Sequence, residues 1–482
     1  MREVIGILTY NDLAKLGDNE KSREDFITQL VNEHKSSKAY QKAKEAQKYY
    51  DGENPTICKY EKILYDFRGR AHMDKYTANH KIASNFFGTV VDQEVSYLLR
   101  NGITFSKGET INTLGRDIHR RVADIVTSAA IEGVAYGFWN NDHLECFHFA
   151  DSESHPGFAP LCDEDTGQLM AGVRYWQIDT TKPMHYVLYE PDGITEYAQK
   201  SGEDMQIIKD KYSYKTAEVV QASTGVVVAE EDAGNYPGFP IVPFQYKTNG
   251  MSELQGKRNT LDALDLVTSN MVNNVDEGNL IYWVLTNCGG MDDLDDAQFL
   301  EQLRITHVVH ADGDGTGEDG AKVEAHSIES PYAATQEAIE KLEKRLYKDF
   351  RAFDENLITA GNQTATAITA SYTSLDLKVD KLEDRVSDFL EEIMKLAGVE
   401  DEPSYTRNRI INKSEETETV LMGAEYYDTE YITKKLLTIN GDADQFREIL
   451  KRRESEEVTR FRNMQNQMKQ LKNDKDEDGE EE

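Results

Sequence analysis

The chain has 482 residues, 29% of them charged and 39% hydrophobic, enough for two or three compact domains with cores of their own. Its 54 Lys and Arg stand against 88 Asp and Glu, a formal charge of -34, which argues against a tight nucleic-acid binder because affinity for phosphate comes mainly from clustered cations. The longest apolar runs are as short as Ile281 to Leu285, and Asp12 and Asp18 follow closely on the N-terminus, so neither a membrane span of about 20 apolar residues nor a signal peptide is expected, and the predicted home is the cytosol.

Four scattered cysteines, Cys58, Cys146, Cys162 and Cys288, form no C-x-x-C pair and are expected to be reduced, mostly buried thiols. In chain order, residues 22 to 50 read as one surface helix ending at Asp51-Gly52, with Phe26, Ile27, Leu30 and Val31 near its front. Ile82, Phe86, Val90, Val91, Val95 and Leu98 recur at helical steps over 82 to 99, and 116 to 136 makes a third helix. From 144 to about 245 aromatic and β-branched residues alternate between turn signals, as in Arg174 to Ile178, Tyr186 to Tyr189 and Pro191-Asp192-Gly193; this predicts an antiparallel β region.

Helix is expected again over 252 to 280, where Leu254, Leu261, Leu264, Val267, Met271 and Val275 share a face. Next, Ile305 to Val309 and Val323 to Ile328 flank Asp312 to Gly320 and predict a β-hairpin with a long acidic tip. After Pro331, the stripe Ile339, Leu342, Leu346, Phe350, Phe353 and Leu357 predicts a second helix, so two helices bracket a small β insert. The strongest period follows: Ile368, Tyr372, Leu375, Val379, Leu382, Val386, Phe389, Ile393 and Leu396 alternate steps of four and three. A helix from 364 to 397 would be roughly 50 Å long, with Gly398 ending it. Between these stripes lies the small, polar run Thr359 to Thr366. A last helical region is expected over about 415 to 471, before an acidic tail, Lys472 to Glu482, expected to stay unfolded.

Several motifs fail on their chemistry. Gly315, Gly317 and Gly320 fit G-x-G-x-x-G, but Asp312, Asp314, Glu318 and Asp319 crowd out a pyrophosphate, and a strand follows where a helix should. Asp312, Asp314 and Thr316 begin like a calcium loop, yet Val323 holds the twelfth place and Glu324 comes one residue late. Gly250 to Arg258 departs from a phosphate-binding P-loop in glycine spacing and in Arg258, so no ATPase is expected. His143, Cys146, His148 and His155, with Cys162 nearby, match no standard zinc spacing, and no metal or other cofactor is expected. No G-x-S-x-G or H-E-x-x-H signature appears.

Tyr49-Tyr50-Asp51-Gly52, then Asn79 to Phe86, then Val90 to Leu98 resemble the N-terminal signature of the portal, or head-to-tail connector, proteins of tailed phages, in the branch typical of long-tailed phages of Gram-positive hosts. Asp165 to Leu169 leading into Val173 to Trp176 is similar to that family's β-rich wing. Gly238 to Phe244 followed by Ser252 and Asp262 looks like the approach to its first stem helix. The pieces come in the family's order along nearly the whole chain. Departures are Thr364-Ala365-Thr366 where members often carry Ser-Gly, and Leu99-Arg100-Asn101 ahead of Gly102.

The resemblance implies an α+β portal fold: wing over 1 to 251, stem helices over 252 to 280 and 331 to 353, clip over 281 to 330, tunnel loop over 354 to 366, long helix over 367 to 402, helical crown over 403 to 471. It implies a homo-oligomeric ring of about twelve subunits at one capsid vertex of the virion, assembled in the host cytoplasm. Through it double-stranded DNA would be packaged and ejected without sequence recognition. Partners would be terminase, major capsid and scaffolding proteins, and later the connector and tail proteins, with no membrane and no catalysis by the chain itself. A mostly acidic lumen would repel phosphate over roughly 8 Å at physiological salt, favouring sliding over sticking. Asn356, Thr359, Asn362, Gln363, Thr364 and Thr366 are the expected DNA-facing residues, and Asp312, Asp314, Glu318 and Asp319 the expected partner contacts of the clip. Two other readings are a divalent-metal-dependent cytosolic enzyme built on the Asp-rich hairpin and a non-viral helical scaffold.

Overall fold

The computed structural model describes residues 8–17, 19–65, 68–75, 77–220, 227–278, 281–286, 308–311, 322–327, 332–354, 365–408, 413–440, 445, 446, 448–453 and 455. It divides into two units, Met1–Phe353 with Ser374–Asn408, and Asp354–Thr373 with Arg409–Glu482. Helix and sheet are mixed, an α+β fold.

The first unit begins with α1 (Tyr10–Lys15), α2 (Glu20–Ser36), α3 (Lys38–Tyr50) and α4 (Pro55–Cys58). The single helix expected over 22 to 50 is two. Ser37 turns extended and its side chain accepts from Tyr40 N–H, capping α3, an N-cap role that suits serine better than a helix interior does. The apolar face expected on α2, Phe26, Ile27, Leu30 and Val31, is buried, as in a surface helix laid on a core. The strands β1 (Ile63–Tyr65) and β2 (Ala71–Met73) pair, and α5 (Phe86–Leu99) starts four residues later than the expected 82. After β3 (Ile103–Phe105) and α6 (Thr110–Leu114), α7 (Ile118–Glu132) stops at Gly133, whose φ of 96° ends the helix. Residues 134 to 136, expected to be helical, open a strand instead, since Val134-Ala135-Tyr136 continues the β alternation of Phe138 and Trp139.

The strands β4 (Val134–Asn140), β5 (His143–His148), β6 (Gly157–Cys162), β7 (Leu169–Trp176), β8 (Met184–Glu190), β9 (Gly193–Gln199), β10 (Gln206–Tyr212), β11 (Lys215–Val220), β12 (Val227–Gly234) and β13 (Ile241–Gln245) follow. Eight of them form a sheet in the order β10-β9-β8-β7-β6-β5-β4-β13, and β11 and β12 pair separately. The expected antiparallel character holds except at the seam between β5 and β6, which touch in parallel at one residue pair, His148 and Gly157. Side chains of α1 and α2 pack on Ala159, Leu161, Ala171, Val173, Tyr175 and Leu188, and the residues alternating with these bring Phe138, Phe147, Phe158 and Tyr189 into an aromatic cluster. Among the thiols, Cys146 and Cys162 are half-buried and Cys58 is exposed, so burial is less general than expected.

His34 of α2 is buried with its Nε2 2.8 Å from the Phe149 carbonyl. Burial pushes its pKa down to about 4 from 6.5. The folded state therefore resists a proton that the unfolded chain accepts, so this term is fully stabilising above pH 6.5 and is lost as pH falls toward 4, by up to about 3 kcal/mol. Urea unfolding at pH 7 and pH 4.5 is expected to show a smaller pH-dependent loss for His34→Gln than for the unsubstituted chain; equal losses would show that His34 does not contribute to the pH dependence.

Next come α8 (Arg258–Gly278), β14 (Ile281–Thr286), β15 (Val308–Ala311), β16 (Lys322–Ser327) and α9 (Tyr332–Phe350). Two helices thus bracket a small sheet, and α8 and α9 pack on each other. The expected hairpin between the two flanking strands does not form: β14 lies between them, parallel to β15 and antiparallel to β16. The strand Ile281–Thr286, which contains the apolar run Ile281 to Leu285, takes the centre, and the 21 residues separating it from β15 are long enough for a parallel crossover. The long helix α10 (Ala365–Ala397) lies within a residue of the bounds 364 to 397 that its period predicts, short of the end at 402 that the resemblance implies, and Gly398 at φ 73° ends it, with Val399 N–H bonded to Met394 O. A short strand, β17 (Pro403–Tyr405), pairs with β3.

In the second unit the helical region expected over 415 to 471 is broken. It contains α11 (Lys413–Met422) and α12 (Thr429–Asn440), which pack together across the turn Gly423 to Asp428. Tyr426, Tyr427 and Met422 are exposed there.

The helix junction as candidate functional site

Three sequence pieces far apart in the chain meet along α8. Residues 80 to 84 run antiparallel beside it, and every second backbone N–H is bonded to a side chain one helical turn nearer the start of α8: His80 N to Asn273 Oδ1 at 2.6 Å, Ile82 N to Ser269 Oγ at 2.9 Å, Ser84 N to Asp265 Oδ1 at 3.1 Å. The ladder works because two residues of extended chain advance about 6.6 Å while four helical residues advance about 6 Å. Asp265, Ser269 and Asn273 are all buried, so the polar stripe of α8 is satisfied by backbone that has no strand of its own to pair with. Asn54 donates to Asp265 at 2.7 Å and to Asp262 at 3.1 Å, Tyr49 OH donates to Asp262 at 2.6 Å, and Arg258 bonds Glu45 at 2.9 Å. The polar face of α8 is therefore its anchoring face.

A second cluster ties α5, α9 and α10 to the turn that precedes α8. Glu94 lies on the apolar stripe of α5 between Val91 and Val95 and is 2% exposed. Lys378 of α10 places Nζ 2.7 Å from Glu94 and 3.0 Å from Glu253, which is equally buried. Tyr246 OH donates to both oxygens of Glu94 at 2.6 and 2.8 Å, while Lys247, at 2.8 Å, and Lys257 complete the shell of Glu253. Burial alone would raise the Glu253 carboxyl, but Lys378, Lys257 and Lys247 reverse this and hold it at about 2. For Lys378 burial opposes the charge, and Glu94 and Glu253 more than restore it. The adjoining cavity of about 420 Å³ is cationic in a strongly acidic chain: Lys247, Lys257, Lys378, Lys381, Arg351 and Arg385 face Glu94, Glu253 and Asp349. The run Gly250 to Arg258 that mimics a phosphate loop is thus structural, its Lys257 engaged with Glu253.

The ends of two helices are fixed by the same junction. Just past α9, the Phe353 N–H and C=O both bond the side-chain amide of Gln93, at 2.9 and 2.8 Å. Arg351 at φ 54° makes the left-handed turn that closes α9, a conformation costing a non-glycine residue roughly 1 kcal/mol. Along α10, Asp376 accepts from Tyr97 OH at 2.6 Å and from Arg407 at 3.0 Å, and Arg407 also bonds Asp380 and Glu383.

Of the expected DNA-facing residues, Thr366 falls in the first turn of α10; Asn356, Thr359, Asn362, Gln363 and Thr364 lie outside the described residues, as do Asp312, Asp314, Glu318 and Asp319. Sequence reading missed Glu94, Glu253 and Lys378. The signal was present, since a carboxylate within the stripe of α5 demands a buried cation, but nothing local names a partner 284 residues away (94 to 378).

Comparison with known proteins agrees with this architecture. The family described as phage portal protein, SPP1 Gp6-like, matches residues 31–459. A portal protein of Bacillus phage SPP1 is 23% identical over 422 residues, covering 83% of this chain and 80% of that protein. A portal protein of Clostridium phage phiCD119 is 21% identical over 387 residues, 74% of this chain and 81% of the relative. The chain belongs to the SPP1 Gp6-like family of phage portal proteins. No described helix is long and apolar enough to cross a membrane.

Proposed function

We propose that about twelve copies of this chain close into a ring at one capsid vertex and form the channel through which double-stranded DNA is packaged and ejected. Terminase would dock first, and connector and tail proteins afterwards, on the clip around β14 to β16, with Asp312, Asp314, Glu318 and Asp319 as partner contacts. Major capsid and scaffolding proteins would surround the wing. The chain would supply no catalysis; the energy for moving DNA would come from the motor.

The observation that carries this reading is the fixing of chain on both sides of residues 354 to 373. Gln93 clamps Phe353, and Tyr97, Lys378 and Arg407 clamp α10 from Asp376 onward. A short polar segment carried between fixed helices is what a constriction needs, because cyclic symmetry brings every copy of one loop to the axis. Asn356, Thr359, Asn362, Gln363, Thr364 and Thr366 would touch phosphates through neutral hydrogen bonds without reading bases. Exposed Tyr426 and Tyr427 offer apolar surface of the kind subunit contacts use.

Placing Lys at both Asn362 and Gln363 would put a ring of cations against the DNA. An in vitro packaging reaction with this double variant is expected to run slower and stop at shorter DNA. Native rate and native length would show that the segment does not line the channel.

A further inference from the structure

At the seam of the large sheet, Glu132 ends α7, His148 ends β5, and His155 lies on the connection to β6. One ligand atom from each falls within 4.8 Å of the other two. We infer that Glu132, His148 and His155 bind a single divalent transition-metal ion of the zinc class, which ties α7 to the β5–β6 seam.

Three observations converge on a missing cation. The Glu132 side chain is 2% exposed, and among the described residues its ion-pair partner is His148 alone, at 3.5 Å; a buried carboxylate without Lys or Arg is costly, more so at a helix C-terminus, where the dipole disfavours negative charge. The Nδ1 of His155 is buried without a hydrogen-bond partner. Its ring stacks on His148 with centroids 3.6 Å apart, which keeps ring nitrogens of the two residues close to each other and to the Glu132 carboxylate.

The surroundings fit the donors. Gln47 Nε2 at 2.8 Å and Ala150 N at 3.0 Å hold the Glu132 carboxylate, and Ser128 Oγ lies 2.9 Å from His148 Nδ1, the kind of outer contact that orients ligands. Two imidazoles and one carboxylate suit zinc better than magnesium or calcium, which prefer oxygen donors. A polar cavity of about 1100 Å³ beside them has room for water as a fourth ligand. Because β5 and β6 share one residue pair, His148 and Gly157, the ion would add a second tie at the weakest joint of the sheet. Chain spacing hid the set, since Glu132 comes from a helix 16 residues before His148.

The test uses the full chain, stripped with a chelator and titrated with cobalt(II) and then zinc. One ion per chain is expected, with ligand-field absorption that zinc abolishes and a rise in Tm that chelator reverses. His148→Gln and His155→Gln should each weaken binding by about tenfold or more, the order expected for losing a ligand or its support, while His143→Gln, in the same cavity but outside the set, should bind as before. If His148→Gln fails to fold, His155→Gln carries the comparison. No binding by the unsubstituted chain, undiminished binding by His155→Gln, or an equal loss in His143→Gln would overturn the proposal.

Discussion

Lys378→Met is expected to lower the stability of the first unit by about 3–5 kcal/mol, the cost of stranding a buried charge without its partner. Glu94 and Glu253 would then face each other with Tyr246, Lys247 and Lys257 as their remaining support. Methionine fills the lysine stem's volume, so the loss would be electrostatic and not a cavity effect. Chemical unfolding of the variant should show a lower midpoint. Adding Glu94→Gln and Glu253→Gln to Lys378→Met should recover a large part of the loss, because a buried polar cluster is costly chiefly when half satisfied. The Glu253 term also has a pH signature. Its folded pKa of about 2 lies below the ordinary 4.5, so its stabilisation is complete above pH 4.5 and disappears as pH falls toward 2. A Lys378→Met loss below about 1 kcal/mol would mean that the cluster does not hold α10.

Gly133→Ala should be comparably damaging, at about 2–5 kcal/mol, through backbone strain and steric conflict together. The φ of 96° disfavours any side chain, and an added Cβ would stand 2.2 Å from the carbonyl oxygen of Gly250. That atom belongs to the turn that delivers Glu253 to Lys378, and the turn is pinned by Glu253 N to Ala130 O at 2.8 Å and Tyr246 N to Gly133 O at 3.1 Å. The clash cannot be relieved without pulling on the ion cluster. Gly202→Ala is the matched control: φ is 79° but nothing lies within 4 Å, so strain alone applies, about 1 kcal/mol. Thermal unfolding of the two variants should separate clearly; equal shifts would remove the Gly250 contact from the explanation.

Periodicity made the helices legible wherever one face met a core. The stripe from Tyr372 to Ile393 is buried throughout and α10 keeps its expected limits. Boundaries set by single hydrogen bonds were harder to read: the Ser37 cap that splits α2 from α3, and the strand that starts straight after Gly133. Sheet order was harder still, because β14 wins the central place through pairing with strands 22 and 36 residues away (286 to 308 and 286 to 322), which no local pattern announces. The α8 ladder was half visible. Tyr49, the 79 to 86 run and Asp262 stand out as pieces of a family resemblance, but only the fold shows that backbone N–H groups of the second piece are bonded to Asp265, Ser269 and Asn273 of α8.

In the function we propose, these clamped helices serve a closed ring whose axis is open. Negative-stain images of the purified full chain, alone and together with capsid protein, test it most directly: rings of about twelve subunits with a central hole are the predicted result, and rods, or a monomer under every condition, would contradict it.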